Sequence, residues 1–265
     1  MRYINRQTGV ALAVLILFLG TVLGLAAQGQ PLVQDEPRVV ATTPWTAAFA
    51  LAAGVQDVHV LAPYEMRHPP EYELRATDVA RAQDADLLVF GGYEAMMGRL
   101  RDAIGGDSPR LVRIRTDHAR ETIAESVMKI AQEAGTAAVA RENVAEIEEF
   151  LDDWRSEIAD SRATEVRVVV HAFQQAIVGE LGLEPVGVFG PGPLSARQIG
   201  DLTESRPALV IDVWHNEAAA PLHETVPDAV FVSLINFPGR DGTRTLMDVL
   251  RHKRRALATA LEELE

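Results

Sequence analysis

Residues 137–162 constrain the fold most. This run contains no Gly and no Pro, and Val144, Ile147, Leu151, Trp154 and Ile158 recur in it at spacings of three and four with acids between them. That spacing is an apolar stripe on one amphipathic helix of about seven turns at 3.6 residues each. A helix of that length must bury its stripe against something on either side. The sequence before and after it supplies two segments with the same grammar.

In the first segment, Arg38–Thr43, Val58–Leu61, Leu87–Phe90 and Leu111–Ile114 read as strands. Helices are expected between them: Pro44–Ala53, ended by Gly54, then one opened by Thr77 and Asp78, then one holding Met96, Met97 and Leu100 as core residues. A further helix over Ala119–Ala134, capped by Thr116 or Asp117, would place His118 in its first turn. In the second segment, Val166–Val170, a strand before Pro191, Ala208–Asp212 and Ala229–Leu234 alternate with helices, the last being Leu246–Glu265. Strands that are nearly continuous hydrophobe and alternate with helices form parallel sheets buried on both faces. The expected fold is therefore α/β, with two similar lobes of parallel sheet joined by one long linker helix. The boundaries are 38–136 for the N-terminal lobe, 137–163 for the linker helix and 164–265 for the C-terminal lobe.

Residues 1–27 read as a targeting segment. Arg2 and Arg6 precede an unbroken apolar or small run, Gly9–Ala27, with small residues near its end where a signal peptidase could cut. The run is also long enough to stay as a membrane anchor. Residues 28–37 follow as a polar tether. The expected location is periplasmic or extracytoplasmic. There is no Cys, which excludes lipid attachment through Cys, disulfides and thiolate metal sites. The net charge of −13 argues against nucleic acid as a partner, since phosphate binding runs on clustered Lys and Arg.

Three histidines fall just beyond predicted strand ends. His68 is held on a proline turn (Pro69, Pro70), His118 follows Leu111–Ile114, and His171 ends Val166–Val170. Ligands of parallel sheets sit outside such ends, and proline leaves an imidazole little freedom to lose. The segment from His68 through Glu71-Tyr72-Glu73, read as extended, Thr77-Asp78 and Ala85-Asp86-Leu87 resembles the metal-binding (zinc or manganese) solute-binding proteins of bacterial ABC importers, of the helical-backbone type (cluster A-I). There a ligand His precedes an acidic-aromatic-acidic run, a Ser/Thr-Asp helix start and "ADL". His171-Ala172-Phe173 resembles the segment of the third ligand, and the linker helix matches the same architecture. The sequence departs from that pattern with two prolines after His68 and with Ala119-Arg120-Glu121 after His118.

The resemblance implies a metal site of His68, His118 and His171 in the cleft between the lobes. Asn236 stands where the family often has Asp; Asp241 or water is the alternative fourth ligand. Three imidazoles and an oxygen suit tetrahedral Zn²⁺, with Mn²⁺ as the alternative. The implied role is capture of the ion, as transported cargo, for an ABC permease by a monomeric, non-enzymatic protein; members of the family also include cell-adhesion proteins. His215 is the other candidate ligand, while His59, His223 and His252 read as bland. A siderophore or corrinoid binder on a related scaffold is the alternative function. A metal-dependent hydrolase is a further one, with Glu65 or Glu94 as base, but no HExxH, P-loop or GxSxG motif accompanies it.

Overall fold

The computed structural model describes residues 36–105 and 109–264. The expected leader and nearly all of the tether lie outside the described residues. Pro37–Glu265 forms one compact unit. No helix among the described residues is long and apolar enough to cross a membrane.

Two four-stranded parallel sheets build this unit. The first uses β1 (Val39–Ala41), β2 (Val58–Val60), β3 (Leu87–Phe90) and β4 (Arg110–Arg113). The second uses β5 (Val168–His171), β6 (Gly187–Phe189), β7 (Leu209–Val213) and β8 (Val230–Leu234). Their orders are β2-β1-β3-β4 and β6-β5-β7-β8, the same topology used twice. In each, the order reverses between the first and third strands of the set, so the crevice for a ligand opens outside β1/β3 and outside β5/β7. The central strands are buried along their whole length, which is why their sequences show no alternation.

The helices of the first lobe are α1 (Pro44–Ala52), α2 (Ala76–Gln83), α3 (Met97–Ile104) and α4 (Arg120–Ala134), and the linker is α5 (Ala137–Asp160). The second lobe has α6 (Gln175–Glu180), α7 (Ala196–Glu204), α8 (Leu222–Thr225) and α9 (Leu246–Glu262). Local chemistry fixes several starts. Thr43 accepts from the Thr46 amide ahead of Pro44, and Thr245 accepts from the Asp248 amide ahead of α9. Asp78 accepts from the Arg75 amide at the start of α2.

The linker ends at Asp160, three residues before the expected boundary. Ser161 turns the chain to an extended conformation (φ −91°, ψ 170°) and its hydroxyl accepts from the Ala163 amide, opening a 3-10 turn at Arg162–Glu165. Glu71 is likewise in a 3-10 turn, Pro69–Glu71, and not extended. His118 lies just ahead of α4, whose N-cap is Ala119, so it is not in the first helical turn. Asp117 accepts from the Ala119 amide.

Val144, Ile147, Leu151, Trp154 and Ile158 are all buried, and they join the cores of the two sheets into one cluster running from Val39 and Leu87 to Val168 and Leu209. The linker is thus part of the core. Ile147→Val should lower unfolding stability by about 1 kcal/mol, the usual cost of one buried methylene with partial collapse. Urea denaturation reads this directly; an unchanged midpoint would mean that α5 is not in the cooperative unit.

Candidate metal and ligand cleft

A cavity of about 870 Å³ lies between the two halves, lined among others by Trp45, His68, Tyr93, Phe173, His215 and Asn236. The two switch points explain this set. Trp45 follows β1 and Tyr93 follows β3, while Phe173 follows β5 and His215 follows β7. His68 comes from the turn beyond β2, where Arg67 crosses to the second lobe and donates to the Trp214 carbonyl (2.7 Å) and to Glu217 (2.8 Å). Loop 236–243 closes against the same turn. Gly239 has φ +129°, and a Cβ there would stand 2.0 Å from the Tyr64 carbonyl oxygen, so only glycine permits this approach.

The expected ligands are placed as follows. His68 is exposed on the cavity wall. His118 and His171 are buried and do not line the cavity. Asn236 is buried; its amide donates to the Phe173 carbonyl (3.3 Å), and its oxygen accepts from Lys253 (3.2 Å). Asp241 is turned to His252, Oδ2 to Nε2 at 2.9 Å, with a side chain 62% exposed. That contact holds its carboxylate on α9. His252, read as bland, is therefore Asp241's partner. Glu94 does not stand free as a base. Its carboxylate accepts from the amides of Gly91 and Gly92 and from the Thr42 hydroxyl, fixing the turn after β3.

Aromatic rings separate and support the imidazoles. Trp45 is 6.2 Å from both His118 and His215, centroid to centroid. Phe173 stacks on His215 (5.6 Å, 9°) and lies 5.0 Å from His171. Four imidazole nitrogens are buried without a hydrogen-bond partner among the described residues: His118 Nε2, His171 Nε2 and His215 Nδ1 around the cleft, and His252 Nδ1 on α9. Burial pushes His215 down to about 4, with His171 and His68 adding like-charge repulsion in that order. Burial likewise lowers His171. A metal ion requires a neutral ring with the lone pair on the coordinating nitrogen. No three His, Asp or Glu side chains among the described residues stand in a ready-made metal-holding arrangement.

Lys253 is the residue that pattern reading missed. Its Nζ is fully buried and lies 2.7 Å from His118 Nδ1, 2.8 Å from Gln174 Oε1 and 3.2 Å from Asn236 Oδ1. Burial holds the amine well below the ordinary lysine value, and burial followed by Lys253 holds His118 well below the ordinary imidazole value. A neutral amine would satisfy every partner: two N–H groups would donate to Gln174 and Asn236, and the lone pair would accept from His118 Nδ1–H. In that arrangement the His118 Nε2 lone pair is free. His171 is arranged the other way, because Nδ1 accepts from the Phe173 amide at 3.0 Å. The neutral ring then carries its proton on Nε2, so a metal at Nε2 would require that proton to leave or to move to Nδ1, the latter at the cost of the Phe173 bond. The signal for Lys253 was present. It stands on the stripe Leu246, Val249, Leu250, Leu257 and Ala260, at spacings of three and four, inside a basic run that reads as solvated.

Comparison with solved structures identifies the fold. The laminin-binding protein Lbp of Streptococcus pyogenes superposes with a TM-score of 0.65 at 18% identity, over 86% of this chain and 100% of that one. The solute-binding protein FpvC of Pseudomonas aeruginosa, solved with Ni²⁺, gives a TM-score of 0.68 at 17% identity, over 87% of this chain and 98% of that one. The laminin-binding protein Lmb of Streptococcus agalactiae, described as having adhesin and metal-transporting activity, gives 0.64 at 17%, over 86% and 100%. The chain has their fold. These structural neighbours are described as a laminin-binding protein, a solute-binding protein holding Ni²⁺, and an adhesin with metal-transporting activity. No protein family and no curated protein matches the sequence itself.

Proposed function

We propose that this chain is an extracytoplasmic solute-binding protein that captures a divalent transition metal and delivers it to an ABC permease, with Zn²⁺ favoured over Mn²⁺. The ligands are the imidazoles of His68, His118 and His171, with Asn236 as the fourth group. His215, whose ring stands among them, is the residue able to replace one of the three. Asp241 can join only by leaving His252. The observation that carries the reading is the set of three buried, unpartnered imidazole nitrogens around one cleft. A buried polar atom without a partner is costly, and a metal ion is the ligand that suits lone pairs on neutral rings. A nitrogen-dominated set with an amide oxygen favours Zn²⁺ over a hard cation. The fold shared with FpvC and Lmb, solved with Ni²⁺ or described as metal-transporting, supports the same direction.

Metal analysis of protein purified without a His-tag tests this. One equivalent of Zn²⁺ should be retained or taken up, and saturating Zn²⁺ should raise the melting temperature, because an ion that binds only the native state stabilises it. At a hundredfold excess over Kd the gain is about 2.7 kcal/mol. No uptake of Zn²⁺, Mn²⁺ or Ni²⁺, with an unchanged melting temperature, would refute the metal reading.

A further inference from the structure

The imidazoles account for an ion, but not for the space in front of it. The cavity of about 870 Å³ is roughly thirty times a water molecule's share of liquid volume. It lies within the range of pockets that take organic molecules, roughly 300–1,000 Å³. Its walls suit such a ligand. Tyr93 and Phe173 both line it and are 44% and 42% exposed, although both are large rings. Apolar area left in water inside a cleft is area that a ligand can cover.

The charges add a second requirement. Arg115 is matched by Asp117 at 3.2 Å and Glu125 at 4.0 Å. Arg113, on the same wall, donates only to the Gly91 carbonyl, at 3.4 Å, and no carboxylate pairs with it among the described residues. An unmatched guanidinium facing a cavity, in a chain of net charge −13, is a receptor for a carboxylate brought by the ligand. The donor count agrees. Of the four imidazoles of the cleft only His68 and His215 line the cavity, joined by the neutral Asn236. An ion entering through the cavity therefore meets His68 and His215 before the buried rings, too few nitrogens at that stage to fill its shell, and a chelating ligand supplies the rest.

We propose that the cleft takes its metal as an organic chelate with a planar ring body and at least one carboxylate. The ion meets His68 and His215, the ring packs against Phe173 and Tyr93, and the carboxylate pairs with Arg113. This rests on the metal reading above and narrows its cargo.

Native mass spectrometry and calorimetry on the purified protein decide it, with Ni²⁺ alone, dipicolinate alone, their equimolar complex, and the aliphatic nitrilotriacetate complex as probes. The expected result is a ternary protein–nickel–dipicolinate mass and binding at least about tenfold tighter than that of Ni²⁺ alone or of the nitrilotriacetate complex. Arg113→Met should weaken the dipicolinate complex about tenfold and leave free Ni²⁺ unchanged, whereas His68→Ala should weaken both. Bare Ni²⁺ binding as tightly as the complex, with no ternary mass, overturns the chelate proposal and leaves the metal reading standing. Dipicolinate binding as tightly without metal, or no binding of any probe, likewise overturns the chelate proposal, while the metal reading stands or falls on uptake of Zn²⁺, Mn²⁺ and Ni²⁺.

Discussion

His68→Ala, His118→Ala and His171→Ala should each weaken Zn²⁺ binding by at least about 100-fold, more than the 10–100-fold typical of losing a residue that only supports a ligand. Removing one imidazole from three leaves two nitrogens and water, and zinc sites hold their ion through a nearly complete tetrahedral shell. His59→Ala and His252→Ala are the controls. His59 Nε2 is occupied by Arg81 at 3.0 Å, and His252 is bound to Asp241. His215→Ala separates two geometries. Retained affinity places the ion on the three expected rings; a loss as large as that of His68→Ala places it at the cavity wall. Competition titration against a zinc chelator gives all six values. If His68→Ala and His171→Ala bind zinc as the parent does, no shared site exists.

The sheets were legible because buried parallel strands carry their own signature. Runs such as Leu87–Phe90 and Leu209–Val213 are hydrophobic at every position, and the linker stripe from Val144 to Ile158 needs no tertiary information to be seen. Helix starts were less legible. Thr116 and Asp117 look like caps, yet Asp117 bonds the amide of the N-cap residue itself. That shifts α4 by one position and leaves His118 outside it. The cleft was legible only as a list of histidines. Which ring nitrogen is free depends on partners far away in sequence, such as Lys253 for His118, or on a local bond that pattern does not show, such as the Phe173 amide for His171. Trp45 was hidden for a different reason. It sits among alanines in a helix that reads as small-residue packing, and only the strand order β2-β1-β3-β4 puts the end of β1 at the crevice.

Lys253→Met should strengthen Zn²⁺ binding by about 10- to 100-fold, the equivalent of releasing one or two buried hydrogen bonds of about 1–3 kcal/mol from competition. The Lys253 nitrogen gathers His118 Nδ1, Gln174 Oε1 and Asn236 Oδ1 around itself. The Gln174 and Asn236 oxygens are acceptors of the kind a cation seeks, and the chain supplies its own nitrogen to them. Asn236 is thereby held by Lys253 on one side and by the Phe173 carbonyl on the other, so its oxygen must give up Lys253 before it can meet an ion. Methionine has similar volume and no donor, so it keeps the packing of α9 against the core while freeing that oxygen. The direction does not depend on the charge of the amine, since either form donates to Gln174 and Asn236. The double variant Lys253→Met/Asn236→Ala distinguishes the cause. If freeing Asn236 is responsible, the gain should vanish in the double variant; if the gain persists, the lysine acts on the ion through His118 alone. An affinity lowered in Lys253→Met, with folding intact by circular dichroism, would show that Lys253 supports His118 and does not compete with the metal.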